Sequence, residues 1–194
     1  MLIQSAINYN LTNCIVDPDA NAPCKNIADE FTQGKLTDFD TVYNFGKQCD
    51  VVTIEIENVN CEALKKLEQE GVPVYPQPHI IELIQDKGLQ KQFYKEHGIP
   101  TAPFVLVDSP SEIGEKWSQF PAILKLRREG YDGRGVMKLK SANDIATAFD
   151  KPSLVEELIP FEKELAVIVH RNIGGEVKTF PVVEMDFHPE HNLV

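Results

Sequence analysis

The sequence predicts an α/β unit followed by an α+β unit, and three observations carry that expectation. Up to about residue 98, β-branched runs alternate with amphipathic stretches, the pattern of parallel strands covered by helices. Beyond residues 98–101 strand-like segments dominate, and only two short helical stretches interrupt them. Between two of those strands stands "KLRREGYDGRG", residues 125–135, a basic and glycine-rich segment in a chain whose net charge is −11.

Each element has its own signal. "MLIQSAINYN" reads as a helix that begins without a preceding strand or a capping residue. "NCIVDPD" is a short apolar run ending in acids, and "CDVVTIEIEN" suits a buried strand. "VNCEALKKLEQEG" follows as a helix with Val59, Ala63, Leu64 and Leu67 on its apolar side and Gly71 as its stop. "VPVYP" is one more strand, and "DKGLQKQFYKEHGIP" is a helix with Leu89 and Phe93 on one face, ended by Gly98 and Pro100. In the second half "APFVLVD", "PAILKLR", "VMKLK", "SLVEELI", "KELAVIVH" and "EVKTFPVVEM" are strands of a largely antiparallel arrangement. The two interrupting helices open with capping boxes, Ser109 to Glu112 and Ser141 to Asp144. "HNLV" stops where another apolar run begins, so the expectation is a fragment of something longer.

Bulk properties exclude several classes. The 194 residues are 42% hydrophobic and 25% charged, ordinary for a globular protein. Strong acidity argues against a general nucleic-acid or membrane-surface partner, so an anionic ligand must be held by a local cluster of cations. Cys14, Cys24, Cys49 and Cys61 have neither C-x-x-C spacing nor histidines at zinc-finger distances, which reads as reduced thiols of a cytoplasmic protein. Neither a signal peptide nor a membrane-length apolar run is present in the sequence.

The glycine segment is the candidate anion site. Gly130, Gly133 and Gly135 allow positive φ and a close backbone approach, so their N–H groups could cradle phosphate. A Rossmann turn or P-loop would lead from a strand into a helix. Here "ILKL" leads in and "VMKLK" leads out, which predicts a β-hairpin whose tip folds over phosphates as a lid; a plain hairpin with a solvated basic tip is the other reading. Lys125 alternates with apolar neighbours and so points to one face of its strand. "VEELIPFEKE" then offers a strand edge for an adenine and a carboxylate, Glu164, for ribose hydroxyls. In "VVTIEIEN", Glu55 and Glu57 share a face at a strand's C-terminal end, where open α/β sheets bind ligands; acids leaving a strand into solvent would look the same.

"LKLRREGYDGRG", "LVEELIPFEKELAVIV" and "KTFPVVE" resemble the ATP-grasp ligases. Within them "DPDANAPC", "DVVTIEIENVN", "PQPHII" and "LQKQFYKEHGIPTAPF" are similar to the branch that makes N5-carboxyaminoimidazole ribonucleotide in purine biosynthesis, so the resemblance spans essentially the whole chain. It implies a truncated ATP-grasp fold: a Rossmann-like pre-ATP-grasp domain over residues 1–98 lacking its first strand, a lid subdomain over 99–160, and the start of the C-terminal subdomain over 161–194. Family members typically open with a strand and a G-G-G-Q-L-G-R-M turn, of which only the terminal methionine would remain here.

The resemblance also implies chemistry. Bicarbonate attacks the γ-phosphate of ATP to give carboxyphosphate, and the carboxyl group passes to the amine of aminoimidazole ribonucleotide. Such chemistry needs neutralised phosphate charge and exclusion of water. By that likeness Lys87 and Lys125 contact ATP phosphates, and residues 130–135 (Gly130, Tyr131, Asp132, Gly133, Arg134, Gly135) form the phosphate lid. Glu156, Glu157, Leu158 and Ile159 line the adenine, and Glu164 holds the ribose. Tyr131, Asp132 and Arg134 stand where carboxyphosphate meets the ribonucleotide, with Arg134 pairing to an anion and Asp132 orienting the amine or taking its proton. Asp132 could equally shape the loop as an Asx turn, and Lys87 could be an exposed lysine in a first helical turn. Glu57 is the expected aminoimidazole contact.

Some positions depart from the family. Glu129 replaces a glycine common in it, setting an acid beside the expected phosphates, and Phe187 replaces a histidine, with His188 one step later. His188 and His191 read as loop residues rather than metal ligands, and the Mg2+ ligands are expected beyond Val194. The resemblance implies an enzyme that is a homodimer at full length, while these residues alone are expected to be inactive or weakly nucleotide-binding. Another ATP-grasp carboxylate-amine ligase and a non-catalytic nucleotide-binding module are the alternatives.

Overall fold

The computed structural model describes residues 2–130 and 134–186. It divides into two compact units, Met1–Gln90 and Lys91–Val194.

The first unit contains helix α1 (Leu2–Ile7), strands β1 (Cys14–Asp17) and β2 (Glu30–Gln33), helix α2 (Phe39–Gly46), strand β3 (Val52–Thr53), helix α3 (Cys61–Gln69), strand β4 (Val74–Tyr75) and helix α4 (Pro78–Gln85). Pairing is parallel, as the alternation predicts, but it forms two separate two-stranded ribbons, β1 with β2 and β3 with β4. Helix α3 matches its sequence signal closely. Asn60 caps it by accepting from Ala63 N at 2.9 Å, its buried face is Cys61, Ala63, Leu64 and Leu67, and Gly71 ends it at φ 90°. Those residues pack with Val42 of α2, Val52, Val59, Val74 and Ile81 into one apolar cluster. Gly46 lies so close to Leu67 that a Cβ there would overlap the leucine side chain.

The strand expected through Glu57 is shorter than the sequence suggests. β3 ends at Thr53, and Glu55, Ile56 and Glu57 are exposed in the bends that follow. The cause is competing bonding: Val59 N donates to Glu57 O at 2.8 Å, and Gln85 Nε2 donates to Glu57 O at 2.7 Å and Val59 O at 2.8 Å. Those carbonyls are thereby engaged by a turn and by α4 rather than by a neighbouring strand.

Helix α5 (Lys87–Glu96) runs across the division between the units. The buried Asp86 precedes it, its Oδ1 accepting from Gly88 N at 2.8 Å and Leu89 N at 3.2 Å. Gly98 follows it with φ 65°. Its predicted Leu89 and Phe93 face is corrected: Leu89 is exposed and Phe93 half-buried, whereas Gly88 and Lys91 are buried.

In the second unit β5 (Phe104–Val107), β6 (Ala122–Leu126), β7 (Val136–Leu139) and β8 (Ser153–Glu157) form an antiparallel sheet in the order β5-β8-β6-β7. Register sorts its side chains. Val105, Val107, Ala122, Leu124, Met137, Leu139 and Val155 share the face that packs on Ile113 and Trp117. The opposite face presents Phe104, Ile123, Lys125, Leu154 and Glu156. Helix α6 (Ile113–Lys116) follows a 3-10 turn, Pro110–Glu112, and a second 3-10 segment spans Ala142–Thr147. The capping boxes are partly realised. Asp144 Oδ2 accepts from Ser141 N at 3.1 Å, whereas Glu112 Oε2 turns to Asp108 N at 3.3 Å instead of Ser109.

The last predicted strands are each broken in two. "KELAVIVH" becomes β9 (Leu165–Ala166) and β10 (Val169–Arg171), and "EVKTFPVVEM" becomes β11 (Val177–Thr179) and β12 (Val183–Glu184). Pro181 has no N–H to give to a ladder, which accounts for the second break. β10 pairs with β11 and β9 with β12, both antiparallel. Cys14, Cys24, Cys49 and Cys61 are all free thiols, and no helix among the described residues is long and apolar enough to cross a membrane.

Candidate active site

The glycine-rich segment is a hairpin connection between β6 and β7, as its flanks predict, closed at its base by Leu126 N donating to Gly135 O at 2.8 Å. Gly135 has φ 69°, and a Cβ there would stand 3.2 Å from Gly130 Cα, so both the turn and the close backbone approach require glycine. Glu129 also adopts φ 66°, the left-handed region where a side chain is disfavoured. Its carboxylate accepts from Lys151 Nζ at 2.8 Å, and that hydrogen bond and charge hold its pKa below the ordinary value. The acid is thus directed to Lys151. Arg134 is exposed. Tyr131, Asp132 and Gly133 lie outside the described residues, as do Phe187, His188 and His191.

Lys125 emerges at the foot of the hairpin on the sheet face opposite the core. Its Nζ is 2.5 Å from Glu156 Oε1, while Lys91 Nζ approaches Glu156 Oε2 at 2.8 Å. The strand register sets this up, because Glu156 lies opposite Ile123 and Phe104, two residues along from the Lys125–Leu154 pair. Side chains two apart on a strand share a face, so the acid of β8 and the lysine of β6 are brought together by pleat alone. Burial is the strongest single influence on the Glu156 carboxyl and pushes its pKa up. Lys125 and Lys91 outweigh it with hydrogen bonds and charge, and the net shift is downward.

The remaining expected site residues are dispersed. Glu157 closes β8, with its N–H donating to Pro103 O at 3.0 Å, and Leu158 and Ile159 continue beyond it, half-buried and exposed. Glu164 is exposed, and its carbonyl accepts from Met185 N at 2.8 Å. In the first unit Lys87 opens α5 half-buried, and Glu57 stands in the exposed loop after β3. That loop still follows the C-terminal end of a parallel strand.

Two residues were missed in the sequence. Lys91 carried a readable signal: it lies four positions after Lys87 on one helix face, a like-charge spacing that is unfavourable unless an acid faces it. Gln85, which ties down the Glu57 loop, carried none, since a glutamine near a helix end is commonplace. Among the described residues no group of three or more His, Cys, Asp and Glu side chains converges as a metal site. The described acids form no such cluster, and no step is assigned to a divalent cation.

Comparison with known proteins adds to this geometry. Residues 1–85 match the ribonucleotide synthetase preATP-grasp domain and residues 92–191 the ATP-grasp domain. The chain is 39% identical to phosphoribosylaminoimidazole carboxylase of Candida albicans, over 95% of this chain and 34% of that protein. It is similar to the crystal structure of carboxyaminoimidazole ribonucleotide synthase from Aspergillus clavatus complexed with ATP, with TM-score 0.87, 34% identity, and coverage of 95% of this chain and 50% of that one. A second Aspergillus clavatus structure, in complex with ADP and 5-aminoimidazole ribonucleotide, matches with TM-score 0.86 and 32% identity over 98% of this chain and 51% of that one. The chain thus spans about a third of the first relative's length and about half of the other two.

Proposed function

This chain belongs to the ATP-grasp family, and from that premise we propose that it supplies the nucleotide-binding half of a ligase that carboxylates 5-aminoimidazole ribonucleotide. The observation that carries the reading is Lys125. It is held on the sheet face opposite the apolar core, at the foot of a hairpin whose Gly135 permits close backbone approach. Relatives with this fold have been solved with ATP and with ADP plus 5-aminoimidazole ribonucleotide.

In the proposed reaction a bicarbonate oxygen attacks the γ-phosphorus of ATP, ADP leaves, and carboxyphosphate forms. The exocyclic amine of aminoimidazole ribonucleotide then bonds to the carboxyl carbon, phosphate departs, and the amine loses a proton. Lys125 and Lys87 neutralise phosphate charge, and the hairpin of residues 130–135 covers the phosphates and keeps water from the labile intermediate. The segment Glu156 to Ile159 borders the adenine, and Glu164 accepts from the ribose. Arg134 pairs with an anionic substrate group, Asp132 receives the amine proton, and Glu57 contacts the aminoimidazole nucleotide. The full-length protein would be a cytoplasmic, Mg2+-dependent homodimer, with the metal held by residues other than those described.

ADP release tests the reading, measured on the chain alone and on the chain joined to the remaining half of the Aspergillus clavatus relative. Bicarbonate-dependent release stimulated by 5-aminoimidazole ribonucleotide is expected from the joined protein. Release with an amino acid acceptor instead would identify another carboxylate-amine ligase. Tight ATP binding without turnover would identify a binding module.

A further inference from the structure

Lys91 has no role in the reaction just described, yet it is the most enclosed cation of the Glu156 cluster. Its side chain is 11% exposed, against 33% for Lys125. Three neighbours hold its Nζ: Glu156 Oε2 at 2.8 Å, Thr101 Oγ1 at 2.5 Å, and the ring of Phe104 with its centroid at 5.4 Å. Glu156 therefore has one ammonium on each oxygen, and the two are not equivalent. Lys91 is fixed from three sides, whereas Lys125 is the more accessible and stands at the foot of the glycine hairpin.

The asymmetry matters because an enclosed carboxylate tolerates its charge only while a cation stays beside it, and removing the sole partner of such a pair is strongly unfavourable. If Lys125 were that sole partner, a phosphate could recruit it only by stranding Glu156. With Lys91 in place the carboxylate keeps a counter-ion throughout. We propose that Lys91 is the standing counter-ion of Glu156, a positioning residue that frees Lys125 to leave the carboxylate for a nucleotide phosphate. The proposal rests on the nucleotide reading of the Lys125 site given above.

Calorimetry of the whole chain with ATP and with adenosine tests it, using wild type, Lys91→Met, Lys91→Arg, Glu156→Gln, Lys91→Met/Glu156→Gln and Lys125→Ala, with circular dichroism reporting the fold. Lys91→Met is expected to weaken ATP binding by about tenfold or more and to leave adenosine within about threefold. Lys91→Arg, which keeps the charge, is expected to bind like wild type. Lys91→Met/Glu156→Gln should bind ATP within about threefold of Glu156→Gln alone, because no carboxylate is left to retain Lys125. Unchanged ATP affinity in Lys91→Met overturns the proposal, and so does a loss that is as large when Lys91→Met is made in the Glu156→Gln background. Should Lys91→Met not fold, the Glu156→Gln background decides: equal affinity with and without Lys91→Met supports the proposal, and a loss beyond about tenfold on adding Lys91→Met overturns it. A loss in Lys125→Ala with none in Lys91→Met removes the proposal and leaves the site reading intact. Wild-type affinity in Lys125→Ala, or no ATP binding by wild type, removes both.

Discussion

Among single residues, Glu156 ties stability to pH in a direction its environment fixes. Its pKa is lowered in the folded chain, so the carboxylate form stabilises the fold above the unfolded-state value of about 4. That contribution is lost as pH falls through the folded value. Thermal midpoints measured from pH 6 down to pH 3 should therefore drop for wild type, and the acid limb should be shallower in Glu156→Gln. Glu129 makes a second residue-scale case. At φ 66° a glycine would be at ease and a β-branched side chain would not. Glu129→Val should lower the thermal midpoint clearly more than Glu129→Gly, whose relief of backbone strain offsets the lost Lys151 pair and the gain in unfolded-state freedom.

Helix α3 and its partner α2 show how much an element owes to its sequence. Leu64 and Leu67 are fully buried between neighbours, and Leu64→Ala should cost about 2–5 kcal/mol in urea unfolding by leaving a cavity. Gly46→Ala should cost about 1–3 kcal/mol by the opposite fault, forcing a methyl into the space that Leu67 fills. Asn60→Ala removes the α3 cap and should cost about 1 kcal/mol. Periodicity and the Gly71 stop made α3 legible in the sequence, and alternation did the same for β6. Lys125 was therefore placed on the right kind of face from sequence. What could not be read was long-range. The truncation of β3 depends on Gln85, which is 28 positions from Glu57 in the chain, and no local propensity encodes that bond. The partner of Lys125 was equally hidden, because Glu156 meets it only through the β6–β8 register. Glu129 was legible as a departure from glycine, but its diversion to Lys151 needed the fold.

For the molecule as a whole, the two apolar clusters are built from different grammars, one from helices over short parallel pairs and one from a single antiparallel sheet. Past β8 apolar side chains turn outward: Phe161, Ile168, Ile173, Phe180 and Val182 are all exposed. An apolar surface of that kind should bind a hydrophobic dye, and anilinonaphthalene sulfonate fluorescence of the native chain is expected to exceed that of a typical monomeric globular protein. Loss of that signal on joining the remaining half of a relative would show that the same surface becomes covered. The row Phe104–Glu156–Ile123 across the sheet has one more consequence. Sliding β8 by one position would carry Glu156 onto the apolar face and take Val155 off it, so a one-residue slip is penalised twice. The acid thus serves as an alignment pin during folding, before any nucleotide is present to need it.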